Sequence, residues 1–329
     1  MTQTMVDIGV ITGAVQLACR APSLHNIQPW RWVVGNTSVD LFVDPDRAVT
    51  ATDRSGREAI ISCGAALDHF RVAMAASGWD TNIDQFPNPN NLDHLASADF
   101  APVDYVTQAR RERADAIPRR RTNRLPFGAP KHWGSVEPVL RSAFDKDAVF
   151  LDVLTDNARP QLADASRLTD SLRRYDDSYQ LELHWWTSPL REAEGIPDSA
   201  LISQSDARRV DVNRRFPVDP SDERSSAGTY DQAKVLVLST PRDTRVDALN
   251  CGAALSAILL ECTMAGLATC PVTHLTELVC SRDIISDLTG RRAAVPQVLI
   301  RVGIEPEGEL QPKPTPRRPL SDVLEIRRP

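Results

Sequence analysis

Three residues near the middle of the chain have the types and spacing that suit an anionic ligand. In the segment RRTNR, Arg120, Thr122 and Arg124 alternate, so their side chains point the same way if the segment is extended. Arginine presents a planar fork of N–H donors that matches phosphate oxygens. The alternation therefore predicts a phosphate site, although an arginine-rich stretch taken alone is more often a solvated helix face.

A second polar group lies on the short loop PSLHNIQPW. Pro22 ends the preceding helix because it lacks an N–H donor and disfavours α geometry in the residue before it. Ser23, His25 and Asn26 then offer hydrogen-bonding groups on a loop held between two prolines. This arrangement favours a ligand-binding loop, whereas His25 alone would more often be a buried structural histidine.

The composition is that of an ordinary soluble globular protein. Of the 329 residues, 42% are hydrophobic and 25% are charged, and this length favours about two domains. The net charge of −6 argues against nucleic-acid binding. No apolar run approaches the ~20 residues of a membrane span, and the N-terminus lacks a signal peptide's basic region, so we expect a cytoplasmic protein. The six cysteines lack CxxC spacing, which predicts reduced, buried thiols and no metal site.

The chain contains an internal repeat. The string CGAAL occurs at Cys63–Leu67 and again at Cys251–Leu255, and the same offset of 188 residues places Gly78 on Gly266. Both copies lie in apolar helical patterns, so the repeat predicts a duplicated chain with two similar central helices. Their small residues would let the two helices pack closely.

The hydrophobic periodicity predicts an α+β fold in two unequal halves, residues 1–116 and 117–329. Helices are predicted over residues 6–20, 57–77, 103–116, 133–144, 157–186 and 246–265, and strands over 31–34, 39–43, 149–154, 234–239 and 297–302. The stretch at about 187–232 has no periodicity and is too long for a plain connection. It follows the aromatic residues His184, Trp185 and Trp186, so we expect an ordered lid; a surface loop is the alternative.

Several of these segments resemble those of FMN-dependent nitroreductases. PSLHNIQPW resembles the Pro-Ser loop of that family, RRTNRLPF its opening arginine motif, and GLATCPVTHLTE and PTPRRPL its closing elements. The order of these segments is most similar to the mycobacterial Acg-type proteins, in which two nitroreductase-like halves are fused. The resemblance implies a nitroreductase-like fold in which one chain mimics the homodimer of the family.

The two halves retain complementary parts of the family's cofactor site. The first half has the Pro-Ser loop and lacks the arginine motif, while the second half has the arginine motif and lacks the loop. In the family, each FMN lies at the dimer interface and contacts one element from each subunit. The resemblance therefore implies one composite site, one FMN per chain, and a monomer that needs no partner to bind FMN, although dimerisation through another face stays open.

The resemblance also assigns roles to the basic residues. Arg120 and Arg317 correspond to ligands of the FMN phosphate, with Thr122 beside them and Arg318 as a further neighbour. Arg124 takes the position near flavin N1 and O2, where negative charge develops in the reduced ring.

Five further residues correspond to contacts with the remainder of the flavin. Ser23, His25 and Asn26 lie on the loop that faces the isoalloxazine ring and the ribityl chain. Thr273 and His274 match the turn whose backbone N–H groups approach flavin N5.

The resemblance leaves three functions open. In the first, NAD(P)H reduces FMN by hydride transfer and a nitroaromatic or quinone then accepts the hydride, with no catalytic acid or base required from the protein. In the second, the chain stores or sequesters FMN beneath the lid without turnover. In the third, a degenerate fold serves as an interaction module without flavin.

Overall fold

A computed structural model describes residues 6–188, 194–217, 230–306 and 314–327. In chain order, its helices are α1 (Ile8–Ala18), α2 (Arg57–Ala76), α3 (Gln108–Ala116), α4 (Trp133–Ser142), α5 (Arg159–Arg173), α6 (Asp177–Trp186), α7 (Gln204–Ala207), α8 (Arg245–Met264), α9 (His274–Glu277), α10 (Val279–Thr289) and α11 (Leu320–Val323). Its strands are β1 (Trp30–Val34), β2 (Val39–Val43), β3 (Trp79–Gln85), β4 (His94–Pro102), β5 (Phe150–Val153), β6 (Lys234–Thr240), β7 (Ala268–Val272), β8 (Val295–Gly303) and β9 (Leu324–Ile326).

The strands form two sheets with the same internal order. The first sheet runs β3-β4-β2-β1 and the second runs β7-β8-β6-β5, with antiparallel pairing throughout these four-strand sets. In each set the central helix, α2 or α8, lies between the second and third strands along the chain. The predicted duplication is therefore confirmed. The boundary at residue 117 stays a prediction, and β9 returns from the far end of the chain to pair with β1 in parallel.

The two central helices cross at a pair of glycines from the repeat. A Cβ atom on Gly64 would lie 2.1 Å from the carbonyl oxygen of Leu249, and one on Gly252 would lie 2.0 Å from that of Ile61. Both glycines and both carbonyls are related by the offset of 188 residues, so the contact is reciprocal, as at a two-fold axis. Only residues without a Cβ permit this approach, which explains why CGAAL is repeated.

The ends of the two central helices also match. Gly78 follows α2 with φ 90° and Gly266 follows α8 with φ 71°, the left-handed geometry that a glycine after a helix adopts without strain. The same axis carries a buried polar contact, in which the Ser256 hydroxyl donates to Asp68 at 2.6 Å. Trp32 is fully buried in the core, as is Trp30.

Several element predictions need correction. The single helix predicted over residues 157–186 is two helices, because Asp176 accepts a hydrogen bond from the Tyr179 backbone N–H and starts α6. The helix predicted from residue 103 begins at Gln108, where Thr107 provides the N-cap. Strands β3, β4, β7 and β9 were not predicted, because their polar or proline-containing sequences lack clear alternation.

The expectation that no apolar run reaches the length of a membrane span is wrong for α2 and α8. Both pass by length and composition, but 83% and 72% of their most apolar windows are buried inside the fold. These are the helices of the central crossing. The cysteine expectation also needs one correction: five of the six thiols are buried, whereas Cys280 is exposed.

Candidate functional site

The loop after α1 has a strained backbone. His25, Asn26 and Gln28 have φ values of 46°, 59° and 51°, in the left-handed region that residues with a Cβ adopt infrequently. Such conformations cost about 1–3 kcal/mol each and cluster at functional sites, where the surrounding structure maintains them.

Side chains from both ends of the chain hold this loop in place. The Ser62 hydroxyl of α2 accepts from the Leu24 backbone N–H at 3.2 Å, and the Ser23 hydroxyl accepts from the Gln28 N–H at 3.1 Å. The Gln28 side chain in turn accepts from the Arg318 backbone N–H at 2.9 Å. The loop is thus fixed against the central helix and the C-terminal segment before any ligand binds.

A cluster of guanidinium groups lies beside the start of this loop. Arg120 and Arg317 both donate to the carbonyl oxygen of Arg20, at 3.3 and 3.1 Å. Burial lowers the pKa of Arg120 to about 9, with the neighbouring positive charges of Arg121 and Arg20 contributing. Burial and then the charges of Arg20 and Arg120 also hold the pKa of Arg317 well below its usual value.

This arginine cluster lacks a counter-charge. Within the described part of the chain, Arg20, Arg120, Arg121 and Arg317 make no ion pair with a carboxylate, and the buried Nε and Nη1 atoms of Arg120 have no hydrogen-bond partner. Buried charges are ordinarily paired, and unmade hydrogen bonds are costly. A phosphate dianion would provide both the charge and the acceptors, so the cluster fits a phosphate-bearing ligand.

A cleft adjoins the strained loop and is lined by both halves of the chain. Its empty volume is about 740 Å³, including the part open to solvent, within the ~300–1,000 Å³ typical of ligand pockets. The first half contributes the loop and one side of α2, and the second contributes the arginine motif and β7. Its lining includes Ser23, His25, Glu58, Ser62, Thr122, Arg124, Cys270, Pro271, Thr273 and Val298.

The described part of the insertion closes over this cleft, as the lid prediction requires. Asn26 donates from its side chain to the Gly195 carbonyl at 2.9 Å, and Arg124 donates to the Ala200 carbonyl at 3.0 Å. The Phe216 ring lies edge-on to His25, with 5.9 Å between ring centroids. Residues 189–193 and 218–229 of the predicted lid lie outside the described residues.

Arg214 anchors the insertion through a buried charge network. It pairs with Glu277, which is fully buried, and donates to the Tyr179 hydroxyl at 2.7 Å and to Thr273 Oγ1 at 3.1 Å. Burial, followed by the neighbouring carboxylate of Glu277, raises the pKa of Glu58 to about 8. Glu58 is therefore mainly neutral at pH 7, and its buried Oε2 has no hydrogen-bond partner.

The structure brings most of the predicted site residues together. Ser23, His25, Thr122, Arg124 and Thr273 line the cleft. Burial holds the pKa of His25 well below its usual value, with the charges of Arg214 and Arg124 contributing, so its imidazole is neutral.

Three predicted residues lie elsewhere. The Asn26 side chain contacts the insertion and the Pro316 carbonyl. His274 is buried with its Nε2 2.9 Å from Ser166 Oγ, so only its backbone remains as a predicted contact. The Arg318 guanidinium lies 3.6 Å from Asp44, apart from the arginine cluster.

Four functional candidates were missed by sequence reasoning. Arg20 looked like the end of a helix, and Glu58 looked like an ordinary acidic residue in a first helical turn. Nothing local marks Glu277 or Arg214 as buried partners, because their contact joins segments 63 residues apart in the chain.

Comparison with known proteins identifies the family. A family model described as Nitroreductase family matches residues 154–304. The Acg protein of Mycobacterium tuberculosis, provisionally named an NAD(P)H nitroreductase, is 55% identical over 99% of this chain and 98% of its own. The chain belongs to the nitroreductase family.

Two further comparisons place this nitroreductase-family chain among its relatives. Rv3127 of M. tuberculosis, named as an uncharacterized protein, is 55% identical over 97% of this chain and 93% of its own. A crystal structure assigned provisionally as a nitroreductase from Anabaena variabilis has a TM-score of 0.51 at 9% identity, and covers 89% of this chain and 73% of its own. This second similarity shows the nitroreductase fold alone.

Proposed function

We propose that this nitroreductase-family chain binds one FMN in the composite cleft and uses it for NAD(P)H-dependent reduction of nitroaromatics or quinones. The observation that carries the proposal is the uncompensated arginine cluster, in which buried N–H donors of Arg120 have no partner. The cluster adjoins a cleft formed by both halves of one chain, so we also propose the monomer as the FMN-binding unit and the cytoplasm as its location.

The chain's own residues would bind and orient the cofactor. Arg120 and Arg317 would hold the phosphate, and the half-buried Arg124 would favour a negatively charged ring because nearby charges interact strongly away from bulk water. Ile61, Leu255 and Val298 provide an apolar wall that excludes water. When bound, FMN supplies the hydride chemistry itself.

The phosphate assignment is tested by comparing FMN with riboflavin. Arg120→Ala or Arg317→Ala should weaken FMN binding about 10- to 100-fold, because a hydrogen bond to a charged group contributes about 1.5–3 kcal/mol. Riboflavin, which lacks the phosphate, should bind the variants and the wild type alike. Arg119→Ala is the matched control, because Arg119 is exposed and bonds only its own helix end at the Asp115 carbonyl. Equal losses for both flavins would contradict the assignment.

Storage of FMN without turnover is the second candidate function, and closure of the insertion over the cleft favours it. A covered ring could not stack with nicotinamide, so the intact protein would turn over slowly with NADPH and a nitroaromatic. Replacing residues 194–226 by a Gly-Ser linker should then accelerate flavin reduction by NADPH and shorten FMN residence. Brisk steady-state turnover by the intact protein, with unchanged rates after the replacement, would exclude storage.

A further inference from the structure

A second cleft borders the first on the side formed by the insertion. Its empty volume is about 1120 Å³, including the part open to solvent. It shares Arg124, Asn213, Arg214 and Phe216 with the cleft of the candidate site. The remaining described lining residues are Leu201, Ile202, Gln204, Ala207, Arg208, Arg215 and Pro217.

The lining of this second cleft is strongly positive. It includes four arginines, and none of its described lining residues is acidic. Arg214 pairs with Glu277, and Arg215 pairs with Asp170 at 3.1 Å.

Two of these arginines retain their full charge. Within the described residues, neither Arg124 nor Arg208 makes an ion pair with a carboxylate. Arg124 is half-buried, whereas Arg208 is exposed at the outer side. A cavity with this charge attracts a negatively charged ligand.

The other wall of the second cleft is apolar and contains an aromatic ring. Leu201, Ile202 and Pro217 lie beside Phe216. The Arg124 guanidinium lies over the Phe216 ring, 5.2 Å from its centroid, and Phe216 lines both clefts. A flat apolar ligand with a negative group would satisfy this wall and the arginines together.

We propose that the second cleft binds a small aromatic anion and delivers it toward the flavin cleft across Phe216. The assignment rests on the proposed function for its role in delivery, and it gives the substrate class as aromatic molecules that carry a carboxylate or a phosphate. Two sources share this chemistry: an acidic nitroaromatic acceptor, and the adenylate portion of the reductant.

The test is calorimetric binding to the oxidised protein as purified, with no reductant present. Para-nitrobenzoate should bind the wild type at least about tenfold more tightly than neutral para-nitrobenzyl alcohol, because charge-assisted bonds to arginine are strong. Arg208→Ala combined with Arg215→Ala should remove that difference and leave the alcohol unaffected. Arg292→Ala is the control, since Arg292 is 84% exposed and pairs with Asp287 away from the cleft.

ADP is the second ligand in the same experiment and separates the two sources. Tight, arginine-dependent binding of nitrobenzoate assigns the cleft to the acceptor, and such binding of ADP alone assigns it to the reductant; either result supports an anion site. The proposal is overturned if neither anion binds, or if the preference for the anion survives the double substitution. Because no turnover is measured, a protein that binds the anions but never reduces them would contradict the proposed function while leaving this site intact.

Discussion

The composite site and its counterpart across the central axis share one fold but differ in chemistry. An offset of 188 residues relates Ser62 to Asn250 and Thr273 to Gln85. In the composite site, Ser62 and Thr273 line an open cleft. On the opposite side, Gln85 donates directly to Asn250 at 2.8 Å, where the cleft would be. Duplication retained the framework on both sides, while the ligand-binding groups persist on one.

The charges differ in the same way. Glu58, which is 2% exposed, corresponds to Val246, which is 42% exposed. A buried acid costs free energy unless it has a use, so its presence on one side alone points to function there and not to a requirement of the fold.

The largest expected effect breaks this comparison at an equivalent pair of arginines. Arg57 is buried and donates to Gln297, Glu58 and Thr276, whereas Arg245 is half-exposed and pairs with Asp93. Arg57→Met should lower the free energy of unfolding by about 3–5 kcal/mol because it leaves buried groups without their partner.

Arg245→Met is the matched substitution on the opposite side. It should cost less than about 1 kcal/mol, as is usual for exposed ion pairs. Urea denaturation of both variants measures the difference, and similar losses would contradict the asymmetry.

The helix crossing should respond next, and it affects both sides alike. Gly252→Ala would place a Cβ 2.0 Å from the Ile61 carbonyl, so the central helices must separate. We expect a loss of about 1–3 kcal/mol or more from overpacking. Gly13→Ala is the control, because nothing lies within 4 Å of a Cβ there and alanine favours a helix. A lower melting temperature for the control than for Gly252→Ala would refute the crossing.

Protonation of Glu58 provides a third, pH-dependent test. Its pKa rises from 4.5 to about 8 on folding, so the folded state keeps a proton that the unfolded state loses in this window. Stability should therefore fall as pH rises from about 4.5 to 8, by up to about 1.4 kcal/mol per unit.

The variant Glu58→Gln should remove this contribution, so its stability relative to the wild type should increase across the window. The exposed Glu112→Gln should retain the wild-type profile. Parallel stability curves for wild type and Glu58→Gln would show that Glu58 does not hold a proton in the folded protein.

The smallest effect is expected at the closed counterpart. Gln85→Ala removes an exposed hydrogen bond and should change stability by less than about 0.5 kcal/mol. The flavin content should remain one FMN per chain, because the counterpart also lacks a Pro-Ser loop and an arginine motif. A flavin-to-chain absorbance ratio near two would instead show that this contact alone closes a second site.

The sequence predicted the parts of this asymmetry that local patterns encode. The CGAAL repeat indicated the axis because glycine is required at Gly64 and Gly252, and the resemblance indicated the loop and Arg120. It could not predict the network around Glu58 and Glu277, since burial of a charge depends on distant segments. Strand β3 was missed because its sequence WDTNIDQ is polar on both faces of an edge strand.

The return of the C-terminal segment gives this protein a fixed order of assembly on the ribosome. Arg317 reaches the carbonyl oxygens of Cys19 and Arg20, and Val33 of β1 pairs with Glu325 of β9. Translation produces the loop and β1 first, so the edge of β1 remains unpaired, and open to wrong pairing, until nearly the whole chain has emerged. The phosphate site is therefore completed after synthesis of residue 317, and flavin capture would report that the nascent chain has finished folding.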